Sequence, residues 1–287
     1  MLRANSIVFL LCSLFGYEIL NIPFSATDLS LSGGGRSIAR DGLYTSEHSS
    51  IDSISDNLYG YTFVRYPAAI NHSSLYTIRE SRSFHLSFLD YGRLHDGVTD
   101  DTFGAFDLLV ETGDSGIAFD WFKVGYRFGI AYSKIAGYHS SAIYGSLSAR
   151  TRLADDRIGI SGSINNISFL IAESDSYSSS IPVISTLSFY LRPDYFAGLV
   201  SCDLNYNSYS EKFIVIISSQ INISDRVAII TSLRSNKQDF HVGDASLDFF
   251  AGIGLGVEYK FRSYTISVGL RNQGANGVVS GITIRTQ

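Results

Sequence analysis

A strict alternation of side-chain types near the end of the chain constrains its fold more than any other feature of the sequence. The odd-numbered positions from 247 to 261 are all apolar: Leu247, Phe249, Ala251, Ile253, Leu255, Val257, Tyr259 and Phe261. The even positions between them are Asp248, Phe250, Gly252, Gly254, Gly256, Glu258 and Lys260. Successive side chains of a β-strand point to opposite faces. The sequence therefore predicts a strand with one apolar face and, Phe250 apart, one face that is small or charged.

The same alternation recurs along most of the chain. It restarts after a turn at Arg262 and Ser263, and it is equally clear from Val124 to Tyr132. Similar segments lie at about 83–91, 105–112, 141–152, 157–170, 181–191, 196–206, 212–222, 226–235 and 278–285. Gly, Asp and Pro clusters separate them, as turns require. No helical period competes, so the sequence predicts an all-β fold.

The residue types on the two faces favour a membrane barrel over a soluble sandwich. Charged residues make up 17% of the chain, against roughly 25% in an average soluble domain. The polar face is rich in Gly and Ser, whereas Tyr126, Tyr132 and Tyr259 place aromatic rings near the ends of the apolar face. A sheet in lipid must close to satisfy its edges. We therefore predict a closed antiparallel transmembrane β-barrel, with a soluble periplasmic β-protein as the alternative.

The beginning of the chain differs from the rest. Arg3, an apolar stretch over 6–20 and the small residues Ser25 and Ala26 predict a signal peptide over 1–26, with an N-terminal membrane anchor as the alternative. Residues 27–56 are rich in Ser and Gly and predict either a plug in the lumen or a flexible tail. The barrel is predicted to occupy 57–287. Export and a barrel together predict a location in the bacterial outer membrane, in contact with its lipid.

The sequence gives no sign of catalytic, metal or cofactor chemistry. No zinc-binding spacing is present, and Cys202 is expected to be a small filler on a strand face. His85 should face the lumen beside Ser83 and Ser87, a pairing that chance explains in so Ser-rich a chain. The acidic stretch over 96–101 predicts a hairpin loop rather than a calcium site. A net charge of -5 gives no basic face for nucleic acid. We predict a protein that is not an enzyme and needs no cofactor.

Three passages resemble the PorV/PorQ family of FadL-like outer-membrane barrels. The first contains Gly35, Arg36 and Gly42, and the second is Tyr66-Pro67-Ala68-Ala69-Ile70. The third runs Phe88-Leu89-Asp90-Tyr91-Gly92-Arg93 and is followed by Gly104-Ala105-Phe106-Asp107. The chain departs from the family pattern at Tyr66, where Asn is usual, and its modest length resembles the PorQ branch.

The resemblance implies about fourteen strands, an N-terminal segment inside the barrel and a role in the type IX secretion system. Gly35, Arg36, Gly42, Pro67, Gly92 and Asp107 would be its structural family residues. Pro67 would give a rigid entry into the first strand, and Arg36 would pair with a lumen carboxylate or remain solvated. The partners would be secreted or surface proteins bound through extracellular loops. The alternative function is FadL-like transport of hydrophobic small molecules, which a lumen lined by large apolar residues would favour.

Overall fold

The computed structural model describes residues 18–20, 22–23, 25–34, 54–95, 102–119, 122–173, 181–195, 197–236 and 250–286. These residues form fourteen strands that close into one barrel. The strands are β1 (Ile54–Arg65), β2 (Asn71–Glu80), β3 (Arg82–His95), β4 (Thr102–Phe119), β5 (Phe122–Ile135), β6 (Tyr138–Leu153), β7 (Ile158–Glu173), β8 (Ile184–Leu191), β9 (Gly198–Asn207), β10 (Lys212–Asn222), β11 (Val227–Arg234), β12 (Ile253–Phe261), β13 (Tyr264–Asn272) and β14 (Val278–Thr286).

Each strand pairs antiparallel with the next one in the sequence, and β14 closes the barrel on β1. In that last pairing Tyr61 lies opposite Ile284 and Phe63 lies opposite Ile282. The closed antiparallel barrel of about fourteen strands is therefore confirmed. Closure leaves no sheet edge with unpaired backbone groups, which is the condition for crossing a membrane with strands.

Burial alternates along the strands as the sequence pattern predicts. In β12, Gly254, Gly256 and Glu258 are buried, while Leu255 and Val257 are exposed on the outer face. The buried side is the lumen, and the outer wall is a continuous array of exposed Leu, Ile, Val, Phe and Tyr. A soluble protein rarely exposes so much contiguous apolar surface. The outer wall therefore has the character of a surface covered by hydrocarbon.

Helical structure is limited in the described residues to one short helix, α1 (Ala26–Ser30), and to 3-10 turns at Glu18–Leu20, Pro67–Ala69 and Gly274–Asn276. Ser25 caps α1, because its Oγ accepts a hydrogen bond from the Asp28 amide at 3.0 Å. Within the parts of the chain that the structure describes, no helix has the length and apolar character needed to cross a membrane.

The structure corrects the sequence prediction in two places. The pattern search missed strands β1 and β2, because β1 has Ser, Asp and Asn directly after Ile54 and β2 opens with Asn, His, Ser and Ser. The strand predicted from 247 begins only at Ile253, so the lumen position predicted for Phe250 is wrong. Phe250 is exposed and precedes a turn in which Gly252 has a φ of +76°. Residues 247–249 lie outside the described residues.

The two ends of the barrel have connections of different length. Short turns join the strands at one end, around residues 81, 154–157, 223–226 and 262–263. The longest connections, over 174–183 and 235–252, belong to the opposite end. Outer-membrane barrels keep short turns on the periplasmic side and longer loops outside. In an outer membrane, this rule would place the end that carries Ser81 and Arg262 on the periplasmic side.

Candidate functional site: the barrel lumen

The helix α1 lies against a surface of bare backbone on the lumen side of β12 and β13. A Cβ atom at Gly254 would come within 2.2 Å of the Ser30 carbonyl oxygen, and one at Gly256 within 2.1 Å of the Ser30 Oγ. A Cβ at Gly269 would meet the Ala26 carbonyl oxygen at 2.1 Å. The three glycines therefore form a shallow seat that only a surface without side chains can provide.

Hydrogen bonds from neighbouring strands fix α1 in this seat. Thr283 of β14 accepts a hydrogen bond at its Oγ1 from the Ala26 amide at 2.8 Å. Ser232 of β11 donates its hydroxyl to the Ser30 carbonyl at 2.6 Å, and the Ser32 Oγ lies 2.7 Å from the same hydroxyl oxygen. Every residue of α1 is buried. These residues thus lie inside the barrel, whereas 35–53 of the predicted plug lie outside the described residues.

A second anchor holds the residues before α1 on the opposite wall. The Asp107 carboxylate of β4 accepts the Tyr91 hydroxyl hydrogen bond at 2.9 Å, and the Ile19 backbone interacts electrostatically with the same carboxylate. Asp107 is 1% exposed, so this anchor is shielded from solvent. Beside Tyr91, Gly92 has a φ of +72° where β3 shifts register against β4, and its amide donates to the Asp90 Oδ1 at 2.9 Å.

Removing the Asp107 carboxylate should loosen the N-terminal residues without unfolding the barrel. We expect Asp107→Ala to raise the hydrogen-exchange rate of the Ile19 amide, because a buried polar group that loses its partner costs about 1–3 kcal/mol. Mass-spectrometric peptide exchange on the purified barrel measures it. Thr186→Ala, on the lumen face of β8, is the control. Equal exchange at Ile19 in both variants would contradict an anchor at Asp107.

An apolar cluster lines the lumen on the side formed by β1 to β6. Ile19 is fully buried in it and packs in the same cluster as Leu58, Ile78 and Leu109. The other buried members are Leu20, Tyr76, Leu89, Tyr91, Ala105, Ala131, Ala142 and Tyr144. The lumen predicted from the sequence was mostly Gly, Ser and charge. That description fits most inward positions of the barrel, including Ser83, Ser87 and Arg127 in this same wall, but it missed the apolar cluster of β1 to β6.

A charged cluster is also buried in this wall. Glu111 of β4 contacts the Arg127 Nη1 and the His85 Nδ1, each at 3.3 Å, and accepts the Tyr144 hydroxyl hydrogen bond at 2.6 Å. Gly129 lies between Glu111 and Tyr144 in the register of neighbouring strands. A Cβ there would meet the Tyr144 hydroxyl oxygen at 2.6 Å. Glycine at this position therefore lets the tyrosine reach across a strand to the carboxylate.

Among the residues that the structure describes, the histidines form no catalytic arrangement that the geometry supports. His85 faces the lumen as predicted, but it contacts Glu111 rather than Ser83. The His72 ring on β2 lies 2.5 Å from the Ser87 Oγ, and both side chains are fully buried. The His72 Nδ1 has no hydrogen-bond partner among the described residues. No cluster that could hold a metal ion is present in the described ranges.

The residues predicted from the family motifs are divided between described and masked regions. Gly35, Arg36 and Gly42 lie outside the described residues, as does the acidic loop over 96–101. Pro67 begins the short turn between β1 and β2, so it leads into the second strand rather than the first. Cys202 is exposed on the outer face of β9. The motif residues that the structure brings to the lumen wall are Asp107 and, at the register shift beside it, Gly92.

The fold belongs to the class of closed fourteen-stranded barrels with N-terminal residues packed inside. Solved structures support the assignment. The toluene transporter TbuX of Ralstonia pickettii is similar with a TM-score of 0.58 and 10% identity, over 92% of this chain and 98% of that one. The toluene transporter TodX of Pseudomonas putida is similar with a TM-score of 0.55 and 10% identity over the same shares.

The sequence itself matches less than the fold does. No protein-family model matches the chain, and no curated protein matches it in sequence. At 10% identity the likeness to the two transporters establishes the barrel fold alone. It gives no support to the PorV/PorQ branch in particular.

Proposed function

We propose that this protein is a non-enzymatic barrel of the bacterial outer membrane that admits hydrophobic small molecules through its lumen. The carrying observation is the apolar cluster around Ile19 on the inner wall of β1 to β6. An apolar surface inside a barrel is a binding site for an apolar solute, because such a solute gains free energy by leaving water. In this structure the chain's own N-terminal residues fill that surface.

These residues fall within the predicted signal peptide over 1–26. In a chain that keeps them they act as a gate, and in a chain cleaved after Ala26 the apolar cluster is open to solute. The N-terminal residues are held by a small set of polar contacts at Asp107, Thr283 and Ser232, each contributing a net stability of about 1 kcal/mol. A solute that packs on the cluster competes with Ile19 for the same apolar contacts. Its binding would increase the population of molecules in which the segment is displaced, since a ligand favours the state that it binds better.

Uptake of labelled toluene by bacteria that lack a hydrocarbon channel tests this proposal. We expect cells with the wild-type protein to take up toluene faster than cells with an empty vector. Leu109→Asn should reduce the difference, because it puts an amide into the apolar cluster. Thr186→Asn, on the lumen face of β8 away from the cluster, should retain it. Uptake no faster than the vector control, with a correctly folded barrel in the membrane, would refute transport of this solute.

The type IX role implied by the motifs stays a prediction. Its motif residues Gly35, Arg36 and Gly42 lie outside the described residues, and no observation on the lumen favours protein tethering over transport. Purification in mild detergent followed by mass spectrometry separates the two. Recovery with secretion-channel components would support the type IX role and count against transport as the main function.

A further inference from the structure

The outer face near the seam of the barrel has residues aligned in rows across five strands, because neighbouring strands keep a fixed register. Two adjacent rows cross β3, β2, β1, β14 and β13. The first row, nearer the periplasmic end, is Phe84, Thr77, Tyr59, Thr286 and Tyr264. The second row is Leu86, Leu75, Tyr61, Ile284 and Ile266. In the first row, aromatic rings alternate with threonines.

This alternation creates a groove. The short side chains of Thr77 and Thr286 leave a gap one strand wide, about 4.8 Å, on each side of the Tyr59 ring. The rings of Phe84 and Tyr264 bound the groove at its two sides, and its volume is about 530 Å³. Its surface is almost wholly apolar because Leu75, Tyr61 and Ile284 continue it toward the membrane centre.

Positive charge lies next to the groove on the periplasmic side. Arg79 and Arg82 are directly opposite each other on β2 and β3, one outward row beyond Thr77 and Phe84, or about 6.6 Å along the strands. Like charges in directly opposite positions destabilise a strand pair. Arg82 contacts Asp114 at 3.5 Å with its side chain 81% exposed, and Arg79 has no ion pair among the described residues.

A third arginine lies on the other side of the groove. Arg262, in the turn before Tyr264, is stacked over the Phe261 ring at 5.3 Å. The acidic residues of the neighbouring described surface are Glu80 and Asp114. Among the described side chains at this rim, three arginines outnumber the two carboxylates, so their exposed guanidinium groups can take an additional anion.

We propose that this groove binds one acyl chain of an anionic phospholipid in the periplasmic leaflet, with the lipid phosphate held by Arg79 and Arg82. From the membrane centre toward the periplasm, the barrel presents the apolar groove, then the rings of the first row, then Arg79 and Arg82. A lipid presents its tail, interface and headgroup in the same order. The site lies on the outer wall, so it depends on membrane insertion and not on transport through the lumen.

Native mass spectrometry of the detergent-solubilised full chain tests the site with phosphatidylglycerol and with diacylglycerol as probes. We expect one phosphatidylglycerol to bind wild type. The double variant Arg79→Gln, Arg82→Gln should lower its occupancy about tenfold, equivalent to about 1.4 kcal/mol. Thr77→Phe, which fills the gap beside Tyr59, should weaken both probes. Diacylglycerol binding should not respond to the arginine changes, because it carries no phosphate.

Matched controls lie elsewhere on the same barrel. Arg226→Gln changes an exposed arginine in the β10–β11 turn, and Thr231→Phe changes an outward threonine of β11; neither should alter lipid binding. Equal phosphatidylglycerol occupancy in all variants would overturn the proposal. So would a Thr77→Phe variant that binds phosphatidylglycerol as wild type does but no longer binds toluene. Heat-modifiable gel migration verifies that each barrel is folded. Because the readout is lipid binding, its failure is distinct from a failure of toluene uptake.

Discussion

Replacing Gly254 with valine should expel α1 from its seat and increase conductance through the barrel. The new side chain would begin 2.2 Å from the Ser30 carbonyl oxygen, which is backbone and cannot rotate away. Overpacking of this kind costs about 1–3 kcal/mol. That cost multiplies the equilibrium constant for displacing the segment by roughly ten to a hundred. Single-channel recording in planar bilayers measures the change, with proteolysis of the N-terminal residues as a second readout.

A glycine with open space around it provides the control. A Cβ at Gly162 of β7 would meet nothing nearer than the Thr186 carbonyl oxygen at 3.7 Å, so Gly162→Val should leave conductance unchanged. Gly269→Val, which meets the Ala26 carbonyl oxygen, should reproduce the effect of Gly254→Val from a different strand. If both seat variants conduct as wild type while the barrel remains folded, the N-terminal residues do not occlude the lumen.

Glu111→Gln should produce the largest loss of stability of any single substitution considered for this barrel. It removes the carboxylate from a buried cluster, and with it the negative charge that the Arg127 guanidinium, 3% exposed, contacts at 3.3 Å. Breaking a buried ion pair in this way costs about 3–5 kcal/mol, because the remaining charge stays out of water. The urea midpoint for unfolding from lipid vesicles measures the loss.

Two further sets of variants test whether the loss of stability comes from the burial of the ion pair or from ion pairing itself. The exposed pair Arg157–Asp194 is closer, at 2.6 Å, but its side chains are 56% and 69% exposed. Asp194→Asn should therefore cost less than about 1 kcal/mol. The double variant Glu111→Leu, Arg127→Leu should recover much of the stability lost by Glu111→Gln, since apolar residues often replace a buried pair without penalty. A cost at Asp194 as large as that at Glu111 would contradict the argument.

The lumen shows where sequence patterns lose information. The alternation identified which residues of β12 face inward, and it placed His85 on the lumen side. It gave no sign that Gly254, Gly256 and Gly269 support a helix far away in the sequence, because an inward glycine on a strand reads the same whether its neighbour is water or backbone. Only the tertiary structure shows which inward glycines contact the backbone of α1.

The sequence by itself determined the all-β fold, the barrel closure and the two faces of most strands. These follow from local periodicity and from the rule that a sheet in lipid must leave no free edge. The tertiary structure decided the apolar wall around Ile19, the contact between Glu111 and Tyr144 across Gly129, and the aromatic groove beside Arg79. Each depends on the register between strands and on contacts between distant segments, which the order of residues along one strand does not encode.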